Sequence, residues 1–229
     1  MNKVVGIIQA RLGSTRLPNK MLLHLNGFAV VQWVVHRVAK SKCLDQLIAA
    51  IPEGIADDPL AEFLKRLSVE VIRGSEDDVL GRFHRAATAT KADYTVRICA
   101  DNPLVSWEAI DLLVTRHVES KKFDYTYNHV PRYNLWPDGL GAEICTKSTL
   151  NKLHKNAKES KQREHLFNYL WDHPSAFQID TFDPPCKAWQ RPDIKLDIDN
   201  WDDYRRMQRL YYHPDMTIDE IIQKAGAPS

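Results

Sequence analysis

The sequence predicts a single-domain α/β fold, with one mostly parallel twisted sheet covered by helices on both faces. Three observations lead there. Short apolar runs alternate with amphipathic helical segments through the first half of the chain, which is the pattern of repeated βαβ units. A chain of 229 residues, 44% of them hydrophobic, can build one sizeable core but not two comfortable domains. No internal repeat, low-complexity tract or long linker marks a boundary within residues 1–229.

The elements follow in order. Strands are expected near residues 3–9, 45–51, 69–73 and 93–98, and helices near 28–41, 57–67, 77–91 and 106–121. The stretch DDPLAEFLKRL shows the reasoning. Asp58 precedes Pro59 at a plausible first helical position, and Leu60, Phe63, Leu64 and Leu67 then recur at i, i+3, i+4 and i+7, one stripe facing a sheet. After residue 122 the rhythm loosens into FDYTYNHVPRYNLWPDGLGAEI, and the aromatic and Pro/Gly interruptions predict an extension between strands, over about residues 122–175. A helix is expected over 160–173, strands near 176–182 and 194–198, and a last helix from about Trp201.

Composition excludes several classes of partner. Lys plus Arg total 31 against 30 Asp plus Glu, and a net charge of +1 supplies no global field for a nucleic-acid backbone or an anionic membrane. Any anion must be caught locally. Cys43, Cys99, Cys145 and Cys186 form no CxxC pair, which argues against a zinc knuckle or disulfide scaffold and fits a reducing cytoplasm. No apolar stretch approaches a membrane span, and Met1 leads directly into a strand, so a non-exported protein is expected.

The local anion trap is IIQARLGSTRLPNK, residues 7–20. A buried strand breaks there into a Gly-Ser-Thr turn carrying Arg11, Arg16 and Lys20. Exposed backbone N–H groups at the carboxyl edge of a sheet, with cations beside them, suit a polyphosphate. The stretch is not a Walker A loop, because Pro18 stands where the second glycine belongs. A solvated basic turn is the competing reading.

Together with RGSEDDVLGRF, VRICADNPLV, PDGLGAEI, REHLFNYL and LDIDNWDDY, this stretch resembles the cytidylyltransferases that activate acidic sugars. These are the acylneuraminate and 3-deoxy-manno-octulosonate cytidylyltransferases and, most closely, their relatives of the spore coat polysaccharide protein F type. The motifs run in family order from about residue 3 to 210. The resemblance implies a Rossmann-like fold of the nucleotide-diphospho-sugar transferase kind. It also implies CTP binding by Ala10, Arg11, Gly13, Ser14, Arg16 and Lys20, with Arg11, Lys20 and Asp101 carrying catalysis.

Phosphoryl transfer then calls for a divalent cation, expected to be Mg2+, and for carboxylate ligands. Asp101 ends a strand where the family places a metal ligand, and Asp199 matches a second such position; Asp197 is the alternative, and Asp202 or Asp203 suits a helix cap. Asn200-Trp201 replaces the family's usual Thr-Pro. Arg73, Gly74 and Ser75 fall where the family reads the pyrimidine, while Glu76, Asp77 and Asp78 suit an acidic first helical turn. The acceptor is implied at Asn128, Asp138, Gly139, Glu143, Arg163, Glu164 and His165.

Arg163 is the expected partner of a sugar carboxylate, with Arg132 and Lys161 as competitors. His165 is either an acceptor-orienting group or a packed helical histidine. Trp33 reads as core; Trp136 is expected either over a sugar ring or in a dimer contact. The reaction implied is direct attack of an acidic 2-keto-3-deoxy sugar on CTP by a homodimer, giving a CMP-sugar and pyrophosphate for surface polysaccharide synthesis. A glycosyltransferase should show a D-x-D motif near the middle of the sequence, whereas the D-x-D here is Asp197-Ile198-Asp199. A different acceptor, such as a phosphorylated sugar or phosphonate, stays open, as does a non-catalytic nucleotide-binding role.

Overall fold

The computed structural model describes residues 2–226. A seven-stranded sheet runs in the order β5-β4-β1-β6-β8-β7-β9, formed by β1 (Val4–Gln9), β4 (Gln46–Pro52), β5 (Glu70–Gly74), β6 (Tyr94–Cys99), β7 (Tyr125–Tyr127), β8 (Glu143–Thr146) and β9 (Ile179–Thr181). All neighbours are parallel except where β8 runs against β6 and β7. Helices α1 (Val30–Val38), α2 (Asp58–Arg66), α3 (Val79–Ala89) and α4 (Trp107–Ser120) alternate with the parallel strands. From β1 the chain moves outward through β4 to β5, then returns to place β6 on β1's other side. The crevice between the carboxyl ends of β1 and β6 is therefore the topological switch point, where open α/β sheets bind ligands.

Alternation along β1 explains the two-sided core. Val4 and Ile8 face one apolar cluster with Val34, Leu64 and Leu113, while Val5 and Ile7 face another with Leu80, Phe83 and Leu150. A third cluster, under α8 (Trp201–Arg209) and α9 (Ile218–Ala225), gathers Trp33, Trp136, Leu196, Met207 and Ile221. Trp33 is core, as expected. Trp136 is core too, which corrects its assignment to a sugar or dimer contact: it is fully buried and its Nε1 donates to Phe182 O at 2.8 Å.

The differences from expectation are local. The helix expected over 28–41 begins at Val30, because Phe28–Ala29 (β3) pairs with His24–Leu25 (β2) around Asn26 and Gly27, both at positive φ. Residues 122–175 contribute β7 and β8 to the main sheet and add α5 (Lys147–Asn156). The helix expected over 160–173 is two short ones, α6 (Ser160–Glu164) and α7 (Asn168–Asp172), separated by an extended His165. Residues 194–198 form no sheet strand; a single bridge joins Lys195 to Asp138. Among the described residues no helix is long and apolar enough to cross a membrane.

Candidate active site

Where β1 ends, the chain wraps into a loop whose shape is set by few contacts. The Leu12 N–H donates to buried Asp57 at 2.7 Å, the Ser14 hydroxyl accepts from Leu17 N–H at 3.2 Å, and fully buried Leu17 pins the loop to the third cluster. Asn19, in the left-handed region at φ 54°, turns the chain so that Lys20 starts a 3-10 turn and points inward. Lys20 is only 6% exposed. Its ammonium donates to Ile198 O at 2.7 Å and to Asp101 at 3.1 Å, and stands 4.0 Å from Asp199. Arg16 reaches Asp199 from the solvent side at 3.2 Å.

The two carboxylates meet because their backbones do. Asp101 follows β6, and its carbonyl accepts from Ile198 N–H at 2.9 Å, which draws Asp199 alongside. Asn200 then caps α8 by accepting from Asp202 and Asp203 N–H groups. The cap is thus Asn200 rather than either aspartate, and the unusual Asn-Trp does the work of a capping Thr before a helical Pro. Asp197 pairs with Lys195 at 3.0 Å instead of joining Asp101 at Lys20. Behind these groups, burial above all, and then the charge of Asp197, pushes the Asp138 carboxyl up to about 6.

The resulting cleft has a volume of about 350 Å3 and is lined by Ala10, Arg11, Gly13, Ser14, Arg16, Lys20, Asp101 and Asp199, with Glu164 and His165 opposite. Ten sequence-selected positions thus converge on one cavity. Arg82, which sequence reasoning passed over, also lines it; its guanidinium donates to Ser75 O at 2.5 Å, and burial foremost, then the charge of Arg11, lowers its pKa. Its signal was a cation inside RGSEDDVLGRF. Gly74 and Ser75 lie in an adjoining recess of about 330 Å3, where the turn closes so tightly on α3 that a Cβ at Gly74 would sit 3.2 Å from Arg82 Cβ.

Three other residues are corrected. Arg73 does not face the nucleotide cleft: its guanidinium donates to Pro52 O, Gly54 O and Asp58. Arg163 is not open to a sugar carboxylate, since it grips Asp78, the N-cap of α3, at 2.9 and 2.5 Å. Asn128 is fully buried and joins Ala109 O to Ala142 N–H, a structural task. Glu143, by contrast, lines the cavity beside the cleft, buried against Arg97 and Tyr125; burial pushes its pKa up, but His129, Arg97 and Tyr125 prevail and hold it low. Gly139, at φ 88° with Asp197 N 2.9 Å from where a Cβ would sit, has room for no side chain. The break between α6 and α7 matters most, because it frees His165 from helical packing to face both the cleft and a neighbouring cavity.

A cationic loop and paired carboxylates at the switch point of a parallel sheet define an α/β nucleotide-binding transferase. The family model for cytidylyltransferases matches residues 5–223, and the chain belongs to that family. Over 97% of this chain and 93% of its own length, spore coat polysaccharide biosynthesis protein SpsF of Bacillus subtilis is 33% identical. An uncharacterized protein of Methanocaldococcus jannaschii is 40% identical over 96% of this chain and 88% of its own. A solved cytidylyltransferase from Leptospira borgpetersenii superposes with a TM-score of 0.88 at 28% identity, covering 97% of this chain and 93% of that one. The protein is a CTP-dependent nucleotidyltransferase.

Proposed function

We propose that this enzyme transfers CMP from CTP to an acidic 2-keto-3-deoxy sugar, releasing pyrophosphate, with Mg2+ held by Asp101 and Asp199. The observation that carries the reading is the convergence of both carboxylates on one buried ammonium beneath the cationic loop. Asp101 and Asp199 would hold the ion, since Mg2+ commonly binds through one or two carboxylates together with substrate phosphates. When bound, Mg2+ neutralises charge growing on the phosphate oxygens.

The chain's own residues supply position and charge. Arg11, Arg16, the Gly13 N–H and the Ser14 hydroxyl hold the triphosphate; Lys20 sets the carboxylate pair; Gly74 and Ser75 border the recess for the pyrimidine. His165, between the two cavities, orients the acceptor hydroxyl for in-line attack, aided by Glu164, while Asp138 and Gly139 line neither cavity and stand behind the carboxylates. Names of relatives support a role in surface polysaccharide synthesis. Tyr133, 87% exposed, and Leu135, 38% exposed, support a homodimer contact through the 122–175 segment. The four cysteines are free, in keeping with a reducing cytoplasm.

Asp101→Asn and Asp199→Asn should each lower kcat at least about a hundredfold while melting like the parent, the scale of losing one preorganised charge contact. A folded variant with parental turnover would remove that aspartate from the reaction.

A further inference from the structure

Most cations around the two cavities already hold an anion: Lys20 pairs with Asp101, Arg16 with Asp199, Arg97 with Glu143 and Arg163 with Asp78. Of the guanidiniums that line these two cavities, two make no hydrogen bond or ion pair among the described residues, Arg11 in the nucleotide cleft and Arg132 on the wall of the neighbouring cavity. That cavity measures about 320 Å3, within the range of small-molecule sites, and shares His165 with the cleft. A ligand seated there would meet the cleft at His165.

The loop fixes the backbone of Arg132 before anything binds. Its carbonyl accepts from Tyr127 Oη at 2.7 Å and Asn134 Nδ2 at 3.0 Å, and its N–H donates to Val130 O at 2.8 Å. Asn134 is tied in turn to Thr181 Oγ1 of β9 at 2.8 Å. The guanidinium lies over the Trp171 ring, 4.7 Å from its centroid. A stacked guanidinium keeps its edge donors free for a planar carboxylate. Lys161 lines neither cavity, and Arg163 is closed by Asp78.

We propose that Arg132, held over Trp171, binds the carboxylate of the acceptor and thereby selects sugar acids over neutral sugars. The carbon skeleton then lies against Trp171, Phe167 and Val130, with the attacking hydroxyl directed toward His165. This assignment rests on the acidic-sugar reading above.

The test uses Arg132→Gln and Arg132→Lys with CTP, Mg2+ and a panel of 2-keto-3-deoxy sugar acids, each beside its neutral carboxamide. The parent should favour an acid over its amide. In R132Q, kcat/KM for the acid should fall about ten- to hundredfold, the range for a charge-assisted contact, while its value for the amide, the KM for CTP and the melting temperature stay put. R132K should recover part of the loss, since it keeps the charge without the fork or the stack. R132Q retaining the parental acid-to-amide preference would overturn the assignment alone. A parent that turns over neutral sugars, or no sugar acid, would overturn it together with the acidic-sugar reading.

Discussion

Replacing Asp138 by Asn should make the protein more stable near neutral pH. The Asp138 carboxyl has no side-chain hydrogen bond among the described residues, and burial, then Asp197, Asp199 and Asp101, raise its pKa from 3.8 to about 6 despite Lys195. As pH climbs from 3.8 toward 6, the unfolded chain releases this proton before the folded one does. Stability therefore falls across that window, with the full penalty above it and none below. At about 1.4 kcal/mol per pH unit the penalty is about 3 kcal/mol, and partial contact with water reduces it to about 1–2 kcal/mol.

Asparagine has the same shape without the charge. Urea unfolding without metal or nucleotide should therefore show Asp138→Asn about 1–2 kcal/mol more stable near pH 8, with the gain vanishing near pH 4. A variant no more stable at pH 8, or a difference independent of pH, would refute the reasoning.

Arg163→Met should lose about 1–3 kcal/mol in chemical denaturation, because Asp78 is left without its guanidinium, yet leave the acceptor KM unchanged; a raised KM would return Arg163 to the acceptor site. Gly141→Ala should lower stability by about 2–3 kcal/mol, since its Cβ would overlap the carbonyl of buried Asn128, and parental melting would show that the close approach is absent. Burial lowers the His117 pKa from 6.5 to about 4, so the folded state resists its protonation and stability is lost as pH falls from 6.5 to about 4. The difference in unfolding free energy between the parent and His117→Gln should shrink over that interval, and a constant difference would contradict the burial of a neutral imidazole.

The parallel half of the fold was legible because each strand and helix has its own period, and Leu60, Leu64 and the β1 residues obey it. The missed strands β7 and β8 span three and four residues, too short for a period to show. Asn26-Gly27 was a readable hairpin signal, overlooked because the apolar run after it looked helical from Phe28 onward. The nucleotide loop was legible because the residues of one contiguous turn carry it. The acceptor wall was not: Arg132, Trp171 and His165 meet only through tertiary structure, and the sequence cannot show that Asp78, 85 residues away, occupies Arg163. Nor does the apolar 166–170 pattern announce the break that exposes His165.

The most direct measurement is pyrophosphate release with Mg2+, each of CTP, UTP, ATP and GTP in turn, and a panel of 2-keto-3-deoxy sugar acids. The account predicts release with CTP and one of the acids, and none when Asp101 is Asn. Silence with every acid, or release that survives the loss of Asp101, would contradict it.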